Sequence, residues 1–135
     1  MNNCILVASW QKELAADARI KLKPNNMISW ADFEKVEMQV GTIIEVNDFP
    51  SARKPAYQLT IDFGKSGIKH SSAQITELYS KEDLLHKQII AVTNFPPKQI
   101  ANFQSECLVL GVVDGSNPVV LLQTERKVEN GLRIA

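Results

Sequence analysis

The residues best equipped for chemistry lie in two stretches, His70-Ser71-Ser72-Ala73-Gln74-Ile75 and Asn94 through Glu106. Hydroxyls on Ser71, Ser72 and Ser105 both donate and accept hydrogen bonds, as do the amides of Gln74 and Asn94. Lys98 supplies a cation, Glu106 an anion, and Phe95 and Phe103 aromatic faces. Such groups pair with base edges or a peptide backbone. The rings suit stacking on an unpaired base, lining a pocket for an apolar peptide side chain, or simply capping the core. Ser105-Glu106 also fits a turn that satisfies its own backbone. Polar stretches of this length on an apolar scaffold usually carry recognition. The nine residues named are therefore the candidate site for RNA or peptide.

Catalysis has no comparable support. A nucleophile needs a base within reach and a group that orients the base. His70 and Ser71 are adjacent, but neighbouring side chains of a strand point to opposite faces. His86 follows a leucine pair with no carboxylate or cysteine at ligand spacing, so both histidines read as solvated. Cys4 and Cys107 form neither a disulfide framework nor a metal motif, and Cys107 opens an apolar run as a small core residue. Phosphate-cradling glycine loops and paired carboxylates are missing. The chain reads as a binding module, not an enzyme, with no cofactor and no metal.

Periodicity supplies the elements that must position these groups. Val7, Trp10, Leu14 and Ala18 recur at helical spacing, so residues 1–26 are expected to form a helical extension of unknown role, or to follow from an upstream start codon. The boundary falls near Pro24-Asn25-Asn26, and residues 27–135 form the main domain. From Met38 the period becomes two, with Met38, Val40, Thr42, Ile44 and Val46 on one face; Ile43 breaks the alternation, and Gly41 suggests a bulge. Tyr57, Leu59, Ile61 and Phe63 alternate with Gln58, Thr60 and Asp62 in a second strand. Gly64–Gly67 turns into a third, Ile68 to Ser72. Ser80 with Asp83 three residues on marks a helix start. Strands over Ile89–Val92, Cys107–Val113 and Val119–Leu122 are apolar on both faces, so either the N-terminal helix or a second copy must cover them. A homodimer is the expectation, because isologous pairs are the commonest assemblies. Short strands, one intervening helix and glycine-marked bends give an all-β class with a short helix. The specific expectation is a five-stranded Greek-key barrel of the oligonucleotide/oligosaccharide-binding (OB) type with terminal extensions.

Charge limits the partners. Fifteen basic residues balance fifteen acidic ones among 135, with a small basic excess in residues 1–26. A protein that grips nucleic acid through phosphates should be basic, so RNA binding would rest on a local patch: Arg53 and Lys54, Lys65 and Lys69, and Lys98, in loops that can converge in a barrel or else carry scattered solvated charges. Ile5–Trp10 is too short to span a bilayer and lacks a secretory lead-in, so no membrane insertion and a cytoplasmic location are expected.

Asp32-Phe33-Glu34-Lys35, Val40-Gly41-Thr42-Ile43, Ile61-Asp62-Phe63-Gly64, Ser71 through Ile75, Asn94-Phe95-Pro96-Pro97 and Ser105 through Gly111 closely resemble the CsaA family, over roughly residues 27–135. That family of small chaperone-like proteins linked to preprotein export is in turn similar to the tRNA-binding OB domain. The resemblance implies a homodimeric OB barrel whose terminal extensions help build the interface. It also implies binding to unfolded preproteins with contact to the export machinery, or to tRNA. Ser71, Ser72, Asn94, Lys98, Ser105 and Glu106 match the polar motif of the tRNA-binding domain by position. Where synthetase-appended domains carry a basic stretch after the asparagine, this chain has Lys98 alone, which favours the chaperone branch.

Overall fold

The computed structural model describes residues 26–116 and 118–135. The helix expected around residues 7–18 lies outside them. Strands β1 (Met38–Asp48), β2 (Tyr57–Asp62), β3 (Ile68–Ala73), β4 (Gln88–Val92) and β7 (Leu108–Val109) form one antiparallel sheet in the order β3-β2-β1-β4-β7. Two small hairpins, β5 (Lys98–Ile100) with β6 (Phe103–Ser105) and β8 (Gly111–Val112) with β9 (Val120–Leu121), complete the β structure. The sheet curls until β3 meets the segment leading into β7, giving a nearly closed barrel of the OB type.

Strand β1 is long because it serves two partners. Met38–Thr42 pair with β4 and Thr42–Asp48 with β2. The register slips between Ile43 and Glu45, so the bulge sits at Ile44 and not at Gly41. The slip explains why Ile43 broke the alternation: Ile43 is buried and Ile44 exposed. A bulge inserts one residue and flips the faces beyond it. Gly41 answers a different demand, since a Cβ there would lie 2.6 Å from Ile61 Cγ2 and 2.7 Å from the Phe63 ring. Around it pack Ile43, Leu59, Ile61, Phe63 and Ile89, all fully buried.

Two short helices flank the barrel. Helix α1 (Trp30–Glu34) has no counterpart among the expected elements, because five residues carry no periodicity. Its signal is the capping box of Ser29 and Asp32. Helix α2 (Lys81–Leu84) begins at the expected Ser80, again with a capping box, to Asp83. The C-terminal segment runs along β1, with Gly131 N–H donating to Val40 O at 2.7 Å and Val40 N–H to Leu132 O at 3.0 Å. Gly131 takes φ +90°, and a side chain there would run into the Phe63 carbonyl. In β4 and β7, Ile89, Ala91, Val92, Leu108 and Val109 are buried, and Ile90 is half-buried. In and beside β8 and β9, Val112, Val113, Val120 and Leu122 are exposed.

Gly41→Ala is expected to overpack the β1–β2 contact and cost about 1–3 kcal/mol. The check is a lower denaturant midpoint with an unchanged slope.

Candidate recognition surface

The two stretches singled out by sequence meet where the barrel closes. Glu106 N–H donates to His70 O at 2.8 Å, and Glu106 Oε1 accepts from His70 N–H at 2.8 Å. The same oxygen lies 3.1 Å from His70 Nδ1. Ser71 Oγ donates to Cys107 O at 3.0 Å, and Ser105 Oγ accepts from Ser72 N–H at 3.2 Å. Ser71, Ser72 and Ser105 are each 0% exposed. The hydroxyls of Ser71 and Ser105 stand in for ladder bonds inside the seam, and Ser72 is buried beside them, which leaves none of the three on the surface. Burial is affordable for them because hydroxyls without partners would be costly there.

The expected loop from Asn94 to Glu106 is instead largely a hairpin. Register pairs Lys98 with Ser105, Gln99 with Gln104 and Ile100 with Phe103. Since Ile100 and Ser105 are buried while Gln99 and Gln104 are exposed, Lys98 lies on the inward face of the hairpin and is only partly exposed. Phe103 is half-buried, its ring centroid 5.5 Å from that of Phe49 and 6.2 Å from His70, edge-on. Phe95 also packs against the core, so both phenylalanines follow the core-capping alternative. Asn94 clamps the chain after α1: Oδ1 accepts from Glu37 N–H at 3.0 Å and Nδ2 donates to Lys35 O at 2.7 Å. Gln74 is half-buried just beyond β3. At the hairpin tip, Ser51 Oγ donates to Asn102 Oδ1 at 2.9 Å, tying it to the β1–β2 loop.

The outward face of β1, β2 and β3 is a continuous polar surface. Register places Asn47 beside Gln58, Glu45 beside Thr60, Thr60 beside His70, and Asp62 beside Ile68, opposite the buried Tyr57, Leu59 and Ile61. Glu45, Asp62 and Glu106 give it three carboxylates, and none of these outward strand residues is lysine or arginine. The cations that could converge do not. Arg53 and Lys54 belong to the loop at one end of β2 and Lys65 to the turn at the other. Lys69 pairs with Ile61 on the inward side. His70 is exposed, as read, and is also joined to Glu106 across 36 residues of chain, a pairing that no local signal announces. Glu45 and Asp62 were legible only through strand alternation.

Cys107 is fully buried, and burial pushes its thiol up to about 12. It is a packed residue and no nucleophile. Among the described residues no three His, Cys, Asp or Glu side chains gather as metal ligands would.

The family described as "Putative tRNA binding domain" matches residues 38–133. The crystal structure of chaperone CsaA from Bacillus anthracis str. Ames is 49% identical with a TM-score of 0.77, covering 81% of this chain and 99% of that one. The CsaA chaperone protein from Picrophilus torridus is 55% identical with a TM-score of 0.75, covering 81% and 100%. Methionine--tRNA ligase of Thermococcus onnurineus is 34% identical over 107 residues, which is 79% of this chain but 14% of the ligase. The chain thus spans about a seventh of that relative. It belongs to the tRNA-binding domain family, and within it to the CsaA proteins.

Ser105→Ala removes the acceptor for Ser72 N–H in a site closed to water. The expected loss is about 1–3 kcal/mol, read from the thermal midpoint against wild type.

Proposed function

We propose that this protein is a CsaA-like chaperone that holds unfolded polypeptide segments, cationic ones foremost, on the outward face of β1–β3. The observation that carries this reading is the set of three carboxylates, Glu45, Asp62 and Glu106, on a strand face without lysine or arginine. A surface that follows a phosphate backbone needs cations to neutralise it; this face repels phosphate and attracts lysine and arginine side chains. The exposed Ile68 and the half-buried Phe103 supply apolar contact beside the charges. A basic stretch followed by an apolar one is the composition of an export leader, which makes unfolded preproteins and the export machinery the partners we assign. Such clients are met in the cytoplasm. No helix among the described residues is long and apolar enough to cross a membrane.

The same reading includes a homodimer. Trp30 is 66% exposed and no residue of α1 is buried, while Val112 is 58% exposed on β8. Apolar surfaces of this kind mark association sites, and a second copy covers them by the simplest symmetry. Within the apolar strands expected to need a cover, this puts the contact on β8 and β9, and it adds α1. A second function, binding of tRNA, is favoured by the family match and needs a cationic surface elsewhere on the molecule.

Glu45→Gln with Asp62→Asn is expected to weaken a lysine-rich unfolded peptide about fivefold per charge at low salt, since one exposed charge pair contributes roughly 1 kcal/mol. Peptide anisotropy measures this, and light scattering of a heat-denatured client measures holding. Failure of the wild type to reduce that scattering refutes the chaperone reading. Sedimentation should give twice the chain mass for the wild type and a monomer for Trp30→Glu with Val112→Asp; a monomeric wild type refutes the dimer.

A further inference from the structure

An apolar groove of about 400 Å³ opens beside α1, lined by Ile28, Ser29, Trp30, Phe33 and Ala135. Its one polar side chain is already engaged: Ser29 Oγ accepts from Asp32 N–H at 3.1 Å, and Ser29 N–H donates to Asp32 Oδ2 at 3.0 Å. The Trp30 and Phe33 rings stand 5.4 Å apart, centroid to centroid. Met27, Ile28 and Trp30, three large apolar residues within four positions, are all exposed. The walls are held in place. Arg133 Nη2 donates to Glu34 O at 2.8 Å and Ile134 N–H to Met38 O at 2.9 Å, which fixes the tail against α1 and β1. Asn94 secures the chain at the far end of the helix through Lys35 and Glu37. The groove is thus pre-formed and offers a ligand hydrocarbon and ring surface.

The described chain begins at residue 26, two positions before Ile28 in the groove wall. The 25 residues that precede it carry Val7, Trp10, Leu14 and Ala18 at helical spacing. A helix over residues 7–18 is about 18 Å long, and residues 19–25 reach at most about 25 Å. That is enough chain to reverse at Pro24-Asn25-Asn26 and lay the apolar stripe against α1. A short tether also favours the attached segment over a free one, since its effective concentration is on the order of millimolar. Charge does not oppose the approach. The segment has a basic excess, and around α1 Asp32, Glu34 and Glu37 outnumber Lys35 and Arg133.

We propose that residues 1–25 dock into this groove within the same chain, seating Trp10 and Leu14 against Trp30 and Phe33. Docking and helix formation go together, because a helix of this length is marginal in water until its apolar face is covered. The docked segment closes the groove to unfolded clients and leaves them the β1–β3 face. A second copy then meets α1 with its segment in place. The proposal depends on neither the chaperone reading nor the dimer.

The test uses the full chain. Trp30→Phe leaves Trp10 as the sole tryptophan, and its emission should be blue-shifted, then move to the red when Leu14→Asp is added. In the otherwise wild-type chain, Leu14→Asp should shift the amide resonances of residues 28–33 and lower the helical far-UV signal. Resonances of β2 and β3 should stay in place, which checks that the barrel is folded. Emission of the Trp30→Phe protein should not change on dilution; reddening on dilution would overturn the proposal in favour of a second copy's segment. Water-exposed emission from Trp10 in that protein, or unmoved resonances of residues 28–33 in Leu14→Asp, would also overturn it. So would a lysine-rich unfolded peptide that shifts residues 28–33 of the wild type, which would make the groove a client site. Sedimentation and client light scattering read the dimer and the chaperone separately, so either can fail while the Trp10 result stands.

Discussion

The seam between β3 and the segment entering β7 is the constraint on which the rest depends. A barrel of short strands has to close, and here regular ladder bonds give way to side chains. Glu106 holds His70 from both backbone directions, while Ser71 and Ser105 reach across to Cys107 and to Ser72. Serine is small enough to let the segments approach and polar enough to satisfy the groups the approach strands. Any larger side chain at these positions would hold the seam open. The hydroxyls that looked like ligand-binding groups are thus part of what closes the barrel.

Closing the seam in this way also positions the hairpin of β5 and β6. Ser105 anchors one end of it, the Phe103–Phe49 contact the middle, and the Ser51–Asn102 bond the tip. Ala101 at that tip takes φ 52°, a conformation it tolerates because a two-residue reversal leaves no alternative. The hairpin therefore forms a fixed rim to the strand face. Phe103 and His70 meet at that rim, so apolar and polar contacts lie within one residue of each other.

Much of this was legible in the residues. The alternation Tyr57, Leu59, Ile61 gave β2 and its buried face as observed, and Ser80 with Asp83 gave the start of α2. The OB barrel followed from strand number and bends. What was not legible arises from distance or from parity. His70 and Glu106 are far apart in sequence and carry no mutual signal. Ser71 and Ser105 read as polar and hence exposed, because their partners are backbone groups of another segment, invisible to composition. Lys98 read as the one offered cation until pairing with Ser105 placed it on the inward face of a hairpin. Of the five basic residues, Arg53 and Lys54 lie at one end of β2 and Lys65 at the other, while Lys69 and Lys98 fall within β3 and β5.

The parity of β1 shows how one residue decides the character of the surface. Gly41 and Ile43 face the interior, and strict alternation would send Glu45 there too, leaving Val46 in water. A carboxylate in that core would be prohibitively desolvated. The extra residue at Ile44 turns Glu45 outward, beside Thr60, and returns Val46 to the core. Ile43, on the other side of the bulge, accepts a hydrogen bond from His86 N–H through its carbonyl and so holds the connection between α2 and β4 against β1. A chain of zero net charge can in this way present a locally anionic strand face. Net charge is a poor guide to partners when a single bulge decides which side chains of a strand reach the surface.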